Sequence, residues 1–103
     1  MSKYSQLRNY CKAKKIKVKE VGAKQLFDYS AMNDEAAKKL GFRKLKDKTI
    51  LMDRYAKSDR KYRDLKHELV EMRLMETKHM PYWDAHKRAL KAESKPYKPK
   101  GRY

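Results

Sequence analysis

Hydrophobic positions near the start of the chain recur with the period of a helix. These positions are Tyr4, Leu7, Tyr10 and Cys11. They line one face and predict a helix over about residues 4–15, with Ser2 or Ser5 as its N-cap. Ile16, Val18 and Val21 then alternate with charged residues, which is typical of a short extended segment.

Two shorter helices are expected between residues 22 and 41. The first covers about Ala23–Tyr29 and contains several residues suited to packing. The second covers Glu35–Leu40, with Asn33 or Asp34 as its cap and the following glycine at its end.

The longest regular pattern is a heptad-like stripe, in which apolar or aromatic residues are spaced alternately four and three apart. The stripe consists of Leu51, Tyr55, Ser58, Tyr62, Leu65, Leu69 and Met72. It predicts a long amphipathic helix over about Thr49–His79. The stripe is expected to pack on another helix, either in the same chain or in a second copy.

A proline ends this pattern and starts another. Pro81 disfavours helical geometry before it and suits the first turn of a new helix, predicted at about Tyr82–Ala92. Trp83, His86 and Leu90 share one face of that helix, which could fold back on the long one. From Ser94 onward, two prolines and the absence of core-forming residues predict an extended tail.

These elements predict an all-α fold in three parts. A basic helical head covers residues 1–46, a long helix and its return helix cover 47–93, and an extended basic tail covers 94–103. Three glycines and three prolines in 103 residues argue against sandwiches and barrels, which need frequent turns.

Charge is concentrated at the two ends. Residues 1–19 carry seven basic side chains and no acid, and residues 95–103 carry four and no acid. The 75 residues between them hold the other 18 basic and all 13 acidic residues, and therefore only +5 of the net charge of +16. Unneutralised ends on a nearly balanced body indicate a polyanionic partner, although excess lysine can also serve solubility alone.

The predicted nucleic-acid contacts follow from this distribution. In the tail, tyrosines alternate with cations, an arrangement that allows stacking on unpaired bases. The predicted contacts are Arg8, Lys12, Lys14, Lys15, Lys17, Lys19 and Lys24 near the N-terminus, and Lys95, Tyr97, Lys98, Lys100 and Arg102 in the tail.

Residues 4–30 resemble the helix–extended–helix pattern of SAP-type DNA-binding modules. The resemblance rests on Leu7, Tyr10, Cys11, Lys15, Ile16, Gly22, Ala23, Lys24 and Phe27. It implies a two-helix hairpin whose phosphate contacts are Lys15, Lys17, Lys19 and Lys24. The interval from Ile16 to Gly22 is about two residues longer than in that family, and Lys15 stands where the family has a small residue.

The sequence offers little else that suggests chemistry. Cys11 lies on the apolar face of the first helix, so packing is its expected role. Glu76 and His79 form one Glu-x-x-His pair, and His67 precedes Glu71 by four residues. A di-metal bundle needs such a pair on each of two helices. We therefore predict no metal, no cofactor and no enzymatic activity.

Location and partners follow from similar arguments. A single cysteine excludes an intramolecular disulfide and fits a reducing compartment. No apolar run approaches about 18 residues, and the N-terminus lacks the apolar core of a secretory signal. We expect a cytoplasmic protein, or one packaged in a particle assembled inside a cell, without a membrane partner.

The sequence predicts a non-enzymatic protein that binds nucleic acid through phosphates with little sequence specificity. Two alternatives stay open: a small structural subunit of a virion or ribonucleoprotein, and a regulator that docks on an acidic protein surface. Protein packing or an oligomeric interface would involve Leu51, Tyr55, Tyr62, Leu65, Leu69, Met72, Trp83 and Leu90.

Overall fold

The structure, a computed structural model, describes residues 2–26, 31–40 and 48–95. In chain order, these ranges contain α1 (Lys3–Ala13), β1 (Lys17–Val21), a 3-10 turn (Ala23–Leu26), β2 (Ala31–Asn33), α2 (Asp34–Leu40), β3 (Thr49–Asp53), α3 (Ser58–Lys78) and α4 (Tyr82–Ala92). The predicted helix at residues 23–29 is thus only a short turn over its described part, and Phe27 and Tyr29 lie outside the described residues.

The chain is mostly helical, as predicted, but the all-α prediction is wrong because three strands form a sheet. Central strand β3 pairs in parallel with β1 and antiparallel with β2. The extended segment predicted before Gly22 is confirmed as β1. Its alternating Val and Lys residues suit an edge strand, where lysines discourage pairing with a further chain.

The predicted long helix begins at Ser58 rather than at Thr49. Residues 49–52 are all buried in β3, as is typical of a central strand covered on both faces. Leu51 therefore packs in the sheet, and Tyr55 lies in the following turn with 79% of its surface exposed. The apolar spacing of the strand coincided with that of the helix, which made the two elements look continuous.

One core joins the N-terminal segment to the long helix. It consists of Tyr4, Leu7, Cys11, Ile16, Ala31, Ile50, Met52, Leu65, Leu69 and Met72. Tyr62 packs against it while partly exposed. Burial raises the pKa of the Cys11 thiol to about 12, which suits the packing role predicted for it. The opposite face of the sheet has a smaller core around Leu26, Met32 and Leu51.

The return helix α4 has the predicted bounds and folds back on α3. Their interface contains Val70, Leu74, Met75, Tyr82, Ala85 and Ala89. The small alanines let the two helices approach closely. Trp83 and Leu90 do not belong to this core, and 63% and 51% of their surfaces are exposed.

Candidate functional site

A groove between α1 and β1 gathers several of the predicted phosphate contacts. This cationic groove, of about 580 Å³, is lined by Ser5, Arg8, Asn9, Lys12, Lys15, Lys17 and Val18. Arginine and lysine supply most of its polar lining, and none of the described acidic residues lines it. Its surface potential therefore favours an anion.

The end of α1 places Lys15 in this groove. The amide of Ile16 donates to the Cys11 carbonyl at 2.8 Å, and the amide of Lys15 donates to Lys12 at 3.1 Å. These two bonds form a Schellman motif. Lys15 occupies its left-handed position with φ 60°, where glycine is normally favoured because a Cβ is strained there. A lysine thus stands at a position that glycine would occupy with less backbone strain.

Arg8 is held against the groove wall by the first sheet strand. Its guanidinium lies 3.4 Å from the Glu20 carboxylate, which also accepts from Tyr4 Oη at 2.7 Å and Lys61 Nζ at 3.0 Å. Burial opposes ionisation of Glu20, but these hydrogen bonds and cations outweigh it and lower the pKa of the carboxyl group. Glu20 therefore neutralises part of Arg8.

Among the described residues, the other groove cations have no such partner. No described carboxylate lies within ion-pair distance of Lys12, Lys15 or Lys17. The like charges of these three lysines repel one another, so a bound anion would stabilise them.

The remaining predicted contacts lie elsewhere. Lys14, Lys19 and Lys24 are exposed but do not line the cationic groove. Lys95 is exposed, and its backbone carbonyl accepts a hydrogen bond from Lys66 Nζ at 2.8 Å. The predictions for Tyr97, Lys98, Lys100 and Arg102 fall outside the described residues.

A second site was not predicted from the sequence. Between α3 and α4, three donor atoms meet: His67 Nε2, Glu71 Oε2 and His86 Nδ1. Glu71 Oε2 lies 2.9 Å from His67 Nε2 and 2.8 Å from His86 Nδ1, and the two nitrogens are 3.1 Å apart. We call these three residues the histidine–glutamate cluster. His67 and Glu71 are buried, whereas His86 is half-buried at the edge of a cleft.

Further polar side chains orient this cluster. Glu93 Oε2 lies 2.8 Å from His67 Nδ1, and Asn33 Nδ2 donates to Glu71 Oε1 at 3.1 Å and to Glu68 Oε1 at 3.0 Å. Asn33 is fully buried, and its Oδ1 accepts from the amide of Ala36 at 2.8 Å. This bond confirms Asn33 as the cap of α2.

Burial and neighbouring charges shift two ionisable groups here. Burial, reinforced by the charge of Glu71, raises the pKa of Glu68 to about 8. Burial alone would lower the pKa of His67, but its hydrogen bond to Glu71 and the nearby carboxylates raise it to about 9. Such perturbed groups beside a cleft are common at functional sites, although structural networks produce them as well.

The cleft beside the cluster has a volume of about 180 Å³. Besides the cluster itself, Arg63, Asp64 and Leu90 line it. Arg63 Nε lies 3.6 Å from Glu93 and 3.7 Å from Asp64. The cleft is therefore polar on one side and large enough for several water molecules.

Sequence spacing indicated only part of this cluster. His67 and Glu71 lie one helical turn apart, but His86 is distant in sequence, and only the return of α4 brings it to them. The Glu76–His79 pair does not join the cluster: His79 is exposed and ends α3 with φ 51°. The sequence did contain a signal for a buried polar site. Several charged residues stand beside Leu65, Leu69 and Met72, on the side of α3 that another helix must cover, and buried charged groups need polar partners.

No protein-family model, curated protein or solved structure matches the chain. Within the described ranges, no helix combines the length and the apolar character that crossing a bilayer requires. The fold, the cationic groove and the histidine–glutamate cluster are therefore the basis for the function proposed below.

Proposed function

We propose that the chain binds nucleic acid through phosphate contacts centred on the cationic groove. The observation that carries the proposal is the convergence of Arg8, Lys12, Lys15 and Lys17 on one groove that no described acidic residue lines. Polyanions release condensed counterions when lysines and arginines neutralise their phosphates, which favours binding at low salt. Little sequence specificity is expected, because phosphate contacts position a protein without reading bases.

The ordered backbone at this surface lowers the entropy cost of binding. Lys12 and Lys15 project from a helix and its capping motif, and Lys17 from a strand of the sheet. Their backbones are ordered before the partner arrives, so binding costs mainly side-chain freedom. The same number of cations on an extended tail would also lose backbone freedom. We therefore place the principal contacts in the groove rather than in residues 95–103.

Affinity for a fluorescently labelled DNA duplex, measured by anisotropy between about 50 and 200 mM salt, tests the proposal. If six to eight cations contact phosphates, log affinity should fall against log salt with a slope of about −5 to −7. An affinity independent of salt would contradict it. A single-stranded DNA and an RNA duplex of the same length show which form is preferred.

Variants of equal charge loss locate the surface. The groove variant replaces Lys12, Lys15 and Lys17 with Gln. The first control replaces the exposed α4 residues Lys87, Arg88 and Lys91, and the second replaces the tail residues Lys98, Lys100 and Arg102. We expect the groove variant to lose at least about tenfold more affinity than either control at one fixed salt concentration, or about 1.4 kcal/mol. Equal losses would mean that net charge, not the groove, governs binding.

A second candidate function is protein assembly, and two exposed apolar side chains of α4 favour it. Leu65, Leu69 and Met72 are buried within the chain, so they are not available to a partner. Trp83 and Leu90 are both large and exposed, and aromatic residues such as tryptophan are enriched at protein interfaces. Sedimentation of the chain alone and of a Trp83→Ser variant tests this. A concentration-dependent dimer lost in the variant would support assembly, and a monomer at all concentrations would remove self-assembly.

A further inference from the structure

We propose that His67, Glu71 and His86 bind a zinc ion in the wall of the cleft between α3 and α4. The three donor atoms form a nearly equilateral triangle with sides of 2.8, 2.9 and 3.1 Å. Ligand atoms about 2.0–2.1 Å from a tetrahedral zinc are roughly 3.3 Å apart. Side-chain shifts of a few tenths of an ångström would therefore open the triangle enough to hold the ion.

Hydrogen bonds to an ionised Glu71 can satisfy at most two of the three sides of this triangle. A ring nitrogen of histidine either donates a hydrogen or offers a lone pair, but not both. If His67 and His86 both donate to Glu71 Oε2, their N–H groups lie side by side, and the 3.1 Å contact between the two nitrogens is not a hydrogen bond. If one nitrogen accepts instead, it faces a Glu71 oxygen at under 3 Å and needs a proton on that carboxyl group. A cation above the triangle attracts both lone pairs and the carboxylate at once.

The surrounding contacts orient two of the three ligands as a metal site requires. Glu93 lies at His67 Nδ1, so a hydrogen on that nitrogen leaves the Nε2 lone pair for the ion. Asn33 holds Oε1 of Glu71 and leaves Oε2 toward the histidines. Carboxylates and amides behind metal ligands fix their orientation in this way, and their loss weakens metal binding.

The donor set and the open cleft favour zinc over harder ions. Two imidazoles and one carboxylate suit zinc, whereas magnesium and calcium prefer oxygen ligands. Three protein ligands leave a fourth position, which faces the 180 Å³ cleft. This is the arrangement of zinc sites that bind water or a small ligand, rather than that of closed structural sites. None of the three ligands lines the cationic groove, so this proposal is independent of nucleic-acid binding.

Calorimetric titration of the full chain with Zn²⁺, after treatment with a chelator and dialysis, tests the site. We expect one zinc ion per chain and no binding of Mg²⁺ at the same concentrations. His86→Ala should weaken zinc binding at least about 100-fold, and Glu93→Gln about 10- to 100-fold. The matched control is His79→Ala, which removes an exposed histidine outside the cluster and should leave the affinity unchanged.

A second measurement uses the unaltered chain, so it does not depend on the folding of any variant. Co²⁺ in the site should give the intense visible absorption of a four-coordinate ion, without a thiolate charge-transfer band, because Cys11 is buried in another core. Azide should change that spectrum if the fourth position is open. Absence of saturable Zn²⁺ binding, an equal loss in His79→Ala, or a six-coordinate Co²⁺ spectrum would overturn the proposal.

Discussion

Charge is exposed and unbalanced in the cationic groove, whereas it is buried and compensated in the histidine–glutamate cluster. Lys12, Lys15 and Lys17 meet water and have no described carboxylate partner. His67 and Glu71 are buried, and each contacts two or more polar groups. The groove can lose a lysine at little cost to the fold, but the cluster cannot lose a member without leaving another polar group unsatisfied.

The largest effect should come from the core beneath both regions. Leu69 is fully buried and packs with Leu7 of α1 and Met72 of α3 in one cluster. Leu69→Ala should lower the free energy of unfolding by about 3–5 kcal/mol, because it removes buried methyl groups and leaves a cavity. Urea denaturation followed by circular dichroism measures this. A loss below about 1 kcal/mol would show that the two regions do not depend on a common core.

The next largest effect on stability should distinguish the histidine–glutamate cluster from the cationic groove. Asn33→Ala removes the α2 cap and the donor shared by Glu68 and Glu71. We expect a loss of about 2–3 kcal/mol, whereas Lys12→Ala in the groove should have little effect. Asn33→Asp keeps a capping oxygen but adds a carboxylate beside Glu68 and Glu71. If that variant were as stable as the natural chain, the cap alone would account for the role of Asn33.

Whether the sequence predicted a region correctly depends on how far apart in sequence its interacting residues lie. The helix α4, the strand β1 and the Asn33 cap were predicted because each depends on residues close together in sequence. The start of α3 was misplaced because a central strand and a heptad share apolar positions over a few residues. The cluster was missed because it needs His86 to meet His67 and Glu71 through the packing of two helices.

A smaller, pH-dependent effect should appear at the junction of α1, β1 and α3. Glu20 accepts from Tyr4 and Lys61 and has a lowered pKa. A carboxyl group with a lowered folded-state pKa stabilises the fold above its unfolded value, near 4.5, and loses that contribution as the pH falls. Glu20→Gln should cost about 1 kcal/mol near pH 7.

That difference should shrink as the carboxyl group becomes protonated. Unfolding curves of the natural chain and Glu20→Gln, measured from pH 7 down to pH 3, should converge toward the acid end of the range. A difference that stayed constant over this range would mean that the substitution acts through packing. In that case the stability difference would not measure the effect of the Glu20 charge, which holds Arg8 beside the cationic groove.

The smallest effect has the opposite sign and concerns Lys15 in its left-handed conformation. Lys15→Gly relieves backbone strain but increases the freedom of the unfolded chain. The free energy of unfolding should stay unchanged or rise by up to about 1 kcal/mol, while affinity for a DNA duplex falls. Thermal unfolding and anisotropy measure the two quantities on one sample. A variant that is both less stable and equally tight in binding would remove the groove role of Lys15.

The parallel pairing of β1 with β3 also affects the order in which the chain can fold during synthesis. Val18 of β1 pairs with Ile50 of β3, and Tyr4 packs in a core that includes Met72 of α3. The first strand is therefore synthesised well before its partner strand, and its core closes only after most of α3 has been made. Distant pairing of this kind slows folding. The residues of the cationic groove are thus all synthesised before the strand β3, on which their own strand β1 pairs.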